Sequence, residues 1–120
     1  LLRVAWNKNS DYNIALIGMN QNYVTVVDTR KPYVPACKLY YHKDNVNYLT
    51  WAPHSQNHIC TVSDDQMALI WDIQEIEPEI QAPLLEYAAD GKITNVAWSK
   101  LNYEWIGLCF DRQLQILRVY

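Results

Sequence analysis

The chain has 120 residues, half of them hydrophobic, with 13 acidic against 10 basic side chains and a formal charge of -3. Its mass of 14.1 kDa suits one domain with a modest core, and its ten scattered Lys and Arg form no basic stripe able to neutralise phosphates, which sets aside direct nucleic-acid binding. No apolar run approaches the ~20 residues of a membrane helix and no cleavable signal pattern is legible, so neither a membrane partner nor a targeting address is expected.

The opening segment, residues 1–6, carries an apolar pattern that returns at 46–51 and 93–98, in register at its first, fourth and sixth positions. Each copy ends on a tryptophan, Trp6, Trp51 or Trp98, with an isoleucine eight positions on, Ile14, Ile59 or Ile106. The tryptophans are 45 and 47 residues apart, a period in or near the range of repeat proteins. A polar break over 7–13 leads to a second strand at 14–17, and a turn at Asn20-Gln21-Asn22 reverses the chain into a third at 23–27. After a proline-bearing connector at 31–35, an extended stretch at 37–41 precedes the second copy. That copy repeats the order, with a break over 53–58, a turn at Asp64-Asp65-Gln66 and a closing strand at 67–71. A longer connector spans 75–83, and another extended stretch, 84–87, leads into the third copy. Its break covers 99–105, its turn is Asp111-Arg112-Gln113 and its closing strand is 114–117.

The expected architecture is therefore all-β: an incomplete unit at 1–30 and two units at 37–74 and 84–120, the leading stretches at 37–41 and 84–87 giving the later units a fourth strand. Cys37, Cys60 and Cys109 are odd in number and lie in apolar, strand-like contexts, which suits buried reduced thiols and a cytoplasmic or nuclear setting.

Residues 61–72 closely resemble the closing half of a WD repeat, with His42 standing 29 residues before Trp71. In that family each repeat contributes a four-stranded blade to a β-propeller. The resemblance implies a buried hydrogen-bonded set of His42, Thr50, Asp65 and Trp71, in which imidazole bridges a carboxylate and a hydroxyl that accepts the indole N–H. The third copy places Ala89, Ala97, Asp111 and Leu117 at those positions and the first has Ala5, Gln21 and Val27, so these blades are expected to rely on apolar packing.

Asp28-Thr29-Arg30 partly resembles the WDxR box of ubiquitin-ligase substrate receptors, whose arginine meets the ligase adaptor. Here valine replaces the tryptophan, and Arg30 at a strand end in solvent explains the same residue. Nearly the whole chain, notably 52–55, 71–74 and 114–119, is similar to the C-terminal part of the transparent-testa-glabra and anthocyanin-regulating group of WD-repeat proteins. Its members are non-enzymatic scaffolds. Plant forms hold MYB and basic helix-loop-helix regulators, and animal forms bind protein kinases and associate with cullin-type ligases. The resemblance thus implies a scaffold for kinases or transcription regulators, with a ligase substrate receptor as the alternative.

Two chemical constellations compete with structural readings. His42, Thr50 and Asp65 carry the functional groups of a hydrolase triad, a third reading, but a threonine on a buried strand lacks an elbow and oxyanion glycines. His54, His58 and Cys60 crowd within seven residues without a fourth ligand at a recognisable spacing, so no metal or cofactor is expected. Of five Trp and nine Tyr, Trp6, Trp51, Trp71 and Trp98 fall at repeat positions and read as core, whereas Tyr33, Tyr40, Tyr48, Tyr103 and Trp105 are candidates for partner contact. The acidic connector at 75–79 reads as solvated surface with a basic partner as the alternative. Because propellers close with 4 to 8 blades, three units are expected to belong to a longer protein and, taken alone, to self-associate or require the missing blades.

Overall fold

The computed structural model describes residues 3–7, 9, 12–30, 37–55, 57–73, 83–102 and 104–119, with the backbone of 79–80. Tyr33 and Tyr103 lie outside the described residues. The strands are β1 (Arg3–Trp6), β2 (Asn13–Ile17), β3 (Tyr23–Asp28), β4 (Cys37–Tyr40), β5 (Val46–Trp51) and β6 (His58–Ser63), followed by β7 (Met67–Asp72), β8 (Glu79–Ile80), β9 (Leu85–Ala88), β10 (Ile93–Trp98), β11 (Trp105–Phe110) and β12 (Gln113–Arg118).

They form three sheets, ordered β1-β2-β3-β4-β8, β5-β6-β7-β9 and β10-β11-β12. The short β8 joins β4 in parallel, and every other pairing is antiparallel. The eight-residue interval from tryptophan to isoleucine is a cross-strand register, since Trp6 faces Ile14, Trp51 faces Ile59 and Trp98 faces Ile106. The second hairpin of each unit turns on a left-handed residue, Asn20 (φ 58°), Gln66 (φ 71°) or Asp111 (φ 51°). Asn and Asp tolerate that region through their short polar side chains; Gln does so at a cost.

Sheet membership corrects the sequence-based units at 37–74 and 84–120. The stretch containing β4 completes the sheet before it, against β3, and β9 completes the sheet of β5–β7, so the third sheet has three strands among the described residues. Repeats counted along the chain are thus offset by one strand from the sheets they build.

Strand alternation gives the middle sheet two apolar faces. One core lies between the first and second sheets, where Val24, Val26, Cys37 and Leu39 meet Leu49, Trp51, Ile59, Leu69 and Trp71. The other lies between the second and third, where Cys60, Val62 and Ile70 meet Ile93, Val96, Trp98, Ile106 and Leu108. Asparagine side chains join the sheets at their margins. Asn9 Nδ2 donates to the carbonyls of Ala52 and Ser55 at 3.0 and 3.2 Å, and Asn47 Nδ2 donates to the carbonyl of Ile93 at 2.8 Å.

Two expectations about burial change. Trp51, Trp71 and Trp98 are core, but Trp6 is 58% exposed. Trp51 and Trp98 each lie against the sheet preceding their own, and the described residues supply no such sheet for Trp6. Cys37 and Cys60 are buried free thiols, whereas Cys109 is exposed on the far face of the third sheet. Among the described residues no helix is long and apolar enough to cross a membrane.

Candidate functional site

The second repeat lines up four polar side chains from the far end of β7, through the middle of β6, to the β6–β7 turn. Trp71 Nε1 donates to Thr61 Oγ1 at 3.0 Å, Thr61 Oγ1 lies 2.7 Å from His42 Nε2, and His42 Nδ1 lies 3.0 Å from Asp65 Oδ2. An indole N–H can only donate, so the Thr61 oxygen accepts it. The Asp65 carboxylate can only accept, so His42 Nδ1 donates to it, and the neutral imidazole's Nε2 is left to accept from the Thr61 hydroxyl. The network runs in one direction from β7 through β6 to the turn that holds Asp65.

Asp65 is further fixed by backbone donors, Lys43 N to Oδ2 and Met67 N to Oδ1, both at 2.9 Å. Burial pushes its carboxyl upward, but the hydrogen bond from His42 and these two amides outweigh that and hold it below its ordinary value. Among the described residues, no buried side-chain nitrogen or oxygen lacks a partner.

Thr50 is not a member of this set; the hydroxyl is that of Thr61. On β5, Leu49 and Trp51 face the first sheet with Trp71, so strand alternation turns Thr50 to the opposite face. There Thr50 Oγ1 makes a 3.4 Å contact with the carbonyl of Trp51. Thr61 pairs across from Leu69, which makes Trp71 its diagonal neighbour on the same face.

The hydroxyl, imidazole and carboxylate have the order of a hydrolytic triad, yet Thr61 is 0% and His42 3% exposed. A nucleophile must reach its substrate, and the Thr61 oxygen is enclosed between an imidazole and an indole. The arrangement ties β6, β7 and the turn at Asp65 to the segment that follows β4.

Asp28 and Arg30 form a second constellation at the end of β3. Arg30 Nε and Nη2 donate to the two carboxylate oxygens of Asp28 at 3.0 and 2.8 Å, and the Arg30 amide donates to Asp28 Oδ1 at 2.9 Å. The guanidinium carbon stands 4.2 Å from the centre of the Tyr12 ring. Hydrogen bonding to Asp28, and then its charge, raise the arginine pKa further above its ordinary value. The side chain is held on two sides and still 62% exposed. Tyr12 is a positioning residue that sequence reasoning missed; its place beside Arg30 depends on the β2–β3 pairing.

The proposed partner-contact aromatics separate. Tyr48 is half-buried beneath the Arg3 guanidinium, 4.5 Å from its ring centre, in a cleft where the inner strands β1, β5 and β10 converge. Tyr40 stacks at a tilt against Tyr23 on the first sheet. Trp105 is 37% exposed on the far face of the third sheet, beside Leu114 and Ile116.

His54, His58 and Cys60 do not converge. His58 Nδ1 lies 2.8 Å from Ser55 Oγ, the two imidazole rings stack at 6.2 Å, and Cys60 is wholly buried with its thiol pushed up to about 12 by burial. Among the described residues no three His, Cys, Asp or Glu side chains are grouped to hold a metal ion.

The chain is 46% identical over 119 residues to the DDB1- and CUL4-associated factor 7 homolog of Dictyostelium discoideum, covering 99% of this chain and 37% of that protein. It is 32% identical over 78 residues, 64% of its length, to an uncharacterized WD repeat-containing protein of Schizosaccharomyces pombe, of which it spans 18%. The crystal structure of the Myceliophteria thermophila Cps50 (Swd1) β-propeller domain superposes with a TM-score of 0.80 at 16% identity, covering 98% of this chain and 35% of that one. No protein-family model matches. The chain thus folds as WD-repeat β-propeller blades and spans about a third or less of the proteins it matches.

Proposed function

We propose that these blades belong to a non-catalytic interaction scaffold that assembles protein kinases, transcription regulators or both, within the transparent-testa-glabra and anthocyanin-regulating group. The observation that carries this reading is the enclosure of the hydroxyl–imidazole–carboxylate relay, with Thr61 and His42 at 0% and 3% exposure. The polar groups able to do chemistry are spent on holding the blade, while Arg30 and several apolar side chains face solvent. The three free thiols suit a reducing cytoplasm or nucleus. Affinity purification of the full-length protein with mass spectrometry should recover kinases or transcription regulators. Recovery of neither, or specific labelling of a threonine by a fluorophosphonate probe, would refute the reading.

The second reading, substrate receptor of a cullin-type ligase, is favoured by the fixed and exposed Arg30 and by a relative whose name states association with DDB1 and CUL4. Asp28 and Tyr12 pre-organise the guanidinium, which lowers the ordering cost of binding a carboxylate or carbonyl on an adaptor. Arg30→Ala should abolish adaptor binding with the fold intact; unchanged binding would reject this reading.

A further inference from the structure

The outer edge of the first sheet is closed by a piece of chain that belongs between strands of the second. β3 pairs with one side of β4, and on the other side β8 lies parallel to it, with Lys38 opposite Glu79 and Leu39 opposite Ile80. The connector that carries β8 otherwise has only a hairpin to close, since β7 and β9 pair antiparallel with Met67 opposite Ala88 and Ile70 opposite Leu85. It covers residues 73–84 and is longer than the connector 29–36 that joins β3 to β4 in the first sheet. The added length takes the chain across to β4 and back.

This cover is slight. Among the described residues β8 pairs with two of the four residues of β4. Pro78, which has no N–H to give a ladder, stands directly before it in the sequence. A longer strand without proline could pair along the whole of β4, from Cys37 to Tyr40, and take the place of β8.

β4 itself dictates which strand fits, because aligned residues of neighbouring strands share a face. Cys37 and Leu39 are buried in the core between the first and second sheets, so apolar residues opposite them extend that core. Lys38 lies on the other face, its ammonium 5.3 Å from the centre of the Tyr23 ring, and favours an acidic residue opposite it. The pair Glu79 and Ile80 meets both conditions.

We propose that the outer edge of β4 docks an extended segment of a partner protein, with an acidic residue opposite Lys38 and a β-branched apolar residue opposite Leu39, and that β8 is its internal placeholder. The inference deepens the scaffold reading and rests on it. If kinases and regulators co-purify but no peptide binds, docking at β4 alone is removed; if peptide binds and no partner is recovered, the scaffold assignment fails separately.

The probe is the dye-labelled peptide acetyl-Val-Glu-Ile-Thr-amide, titrated against the full-length protein by fluorescence anisotropy. Ile80→Pro releases β8 without touching β4 and should tighten binding about threefold or more, because apparent affinity rises with the fraction of protein whose site is open. Glu79→Lys sets like charges opposite each other, should tighten binding in the same sense and serves if Ile80→Pro does not fold. Replacing the peptide's glutamate by lysine should weaken binding several-fold, and replacing its isoleucine by proline should abolish it. In the unmutated protein, saturating peptide should speed hydrogen exchange at the Glu79 and Ile80 amides. Absence of binding by the unmutated and released proteins alike, equal affinity for the glutamate and lysine peptides, or folded released variants that bind no tighter would overturn the proposal. So would a dimer in sedimentation that Ile80→Pro dissociates without any peptide binding, since that assigns the edge to β8 of a second copy.

Discussion

Replacing Thr61 by valine removes one oxygen while keeping shape and β-branching, and leaves two buried groups without partners, Trp71 Nε1 and His42 Nε2. An unsatisfied buried polar group costs about 1–3 kcal/mol, so the variant should lose about 2–6 kcal/mol, a large part of the roughly 5–15 kcal/mol that holds a domain together. Thr50→Val makes the same chemical change on the opposite face, where the hydroxyl makes a 3.4 Å contact, and should alter stability by no more than about 0.5 kcal/mol. In urea, with a slope of about 1–3 kcal/mol per molar, a 3 kcal/mol loss moves the unfolding midpoint down by ~1–3 M for Thr61→Val and scarcely at all for Thr50→Val. A double cycle with Trp71→Phe, which deletes the indole donor, should show coupling of about 0.5–3 kcal/mol. Equal losses for the two threonine variants, or a loss below about 1 kcal/mol for Thr61→Val, would refute the one-directional network.

The folded-state carboxyl of Asp65 lies below its ordinary 3.8, so its stabilising contribution is complete above that pH and drains as pH falls through the folded value; Asp65→Asn should flatten this acid limb in a stability–pH profile. His54 is held below 6.5 by burial and then by His58, so the unfolded chain binds the proton more readily, and acidification through 6.5 should destabilise the protein unless His54 is replaced by Gln. Cys109, which is exposed, should react with iodoacetamide under native conditions while Cys60, buried and shifted to about 12, stays protected until unfolding; equal rates by mass spectrometry would contradict the two-core packing. Gln66→Gly should stabilise by about 0.5–1 kcal/mol, since relief of a left-handed strain of about 1–2 kcal/mol is partly offset by glycine's added chain entropy.

Repeats were legible because their signal is local and periodic. The interval from Trp51 to Ile59 is a property of one hairpin, visible wherever the hairpin recurs. Ownership of the outer strand was not legible in the same way. β4 directly precedes β5 in the chain but pairs with β3, and the choice is made by how each edge meets its neighbour in space. A residue such as Lys38 reads as extended in either assignment.

The site was half legible for a related reason. His42, Asp65 and Trp71 are singled out by the resemblance to a WD repeat, and the structure joins all three in one network. The hydroxyl sits mid-strand, where two threonines, Thr50 and Thr61, compete and spacing does not separate them. Face does. Once Trp51 and Trp71 are both assigned to the core that meets the first sheet, alternation sends Thr50 to the opposite side and leaves Thr61, the diagonal neighbour of Trp71, as the hydroxyl within reach. The same rule places Leu117: paired with Ile106 as Trp71 is with Ile59, it stands at the register position of Trp71 and leaves the second gap without an indole there.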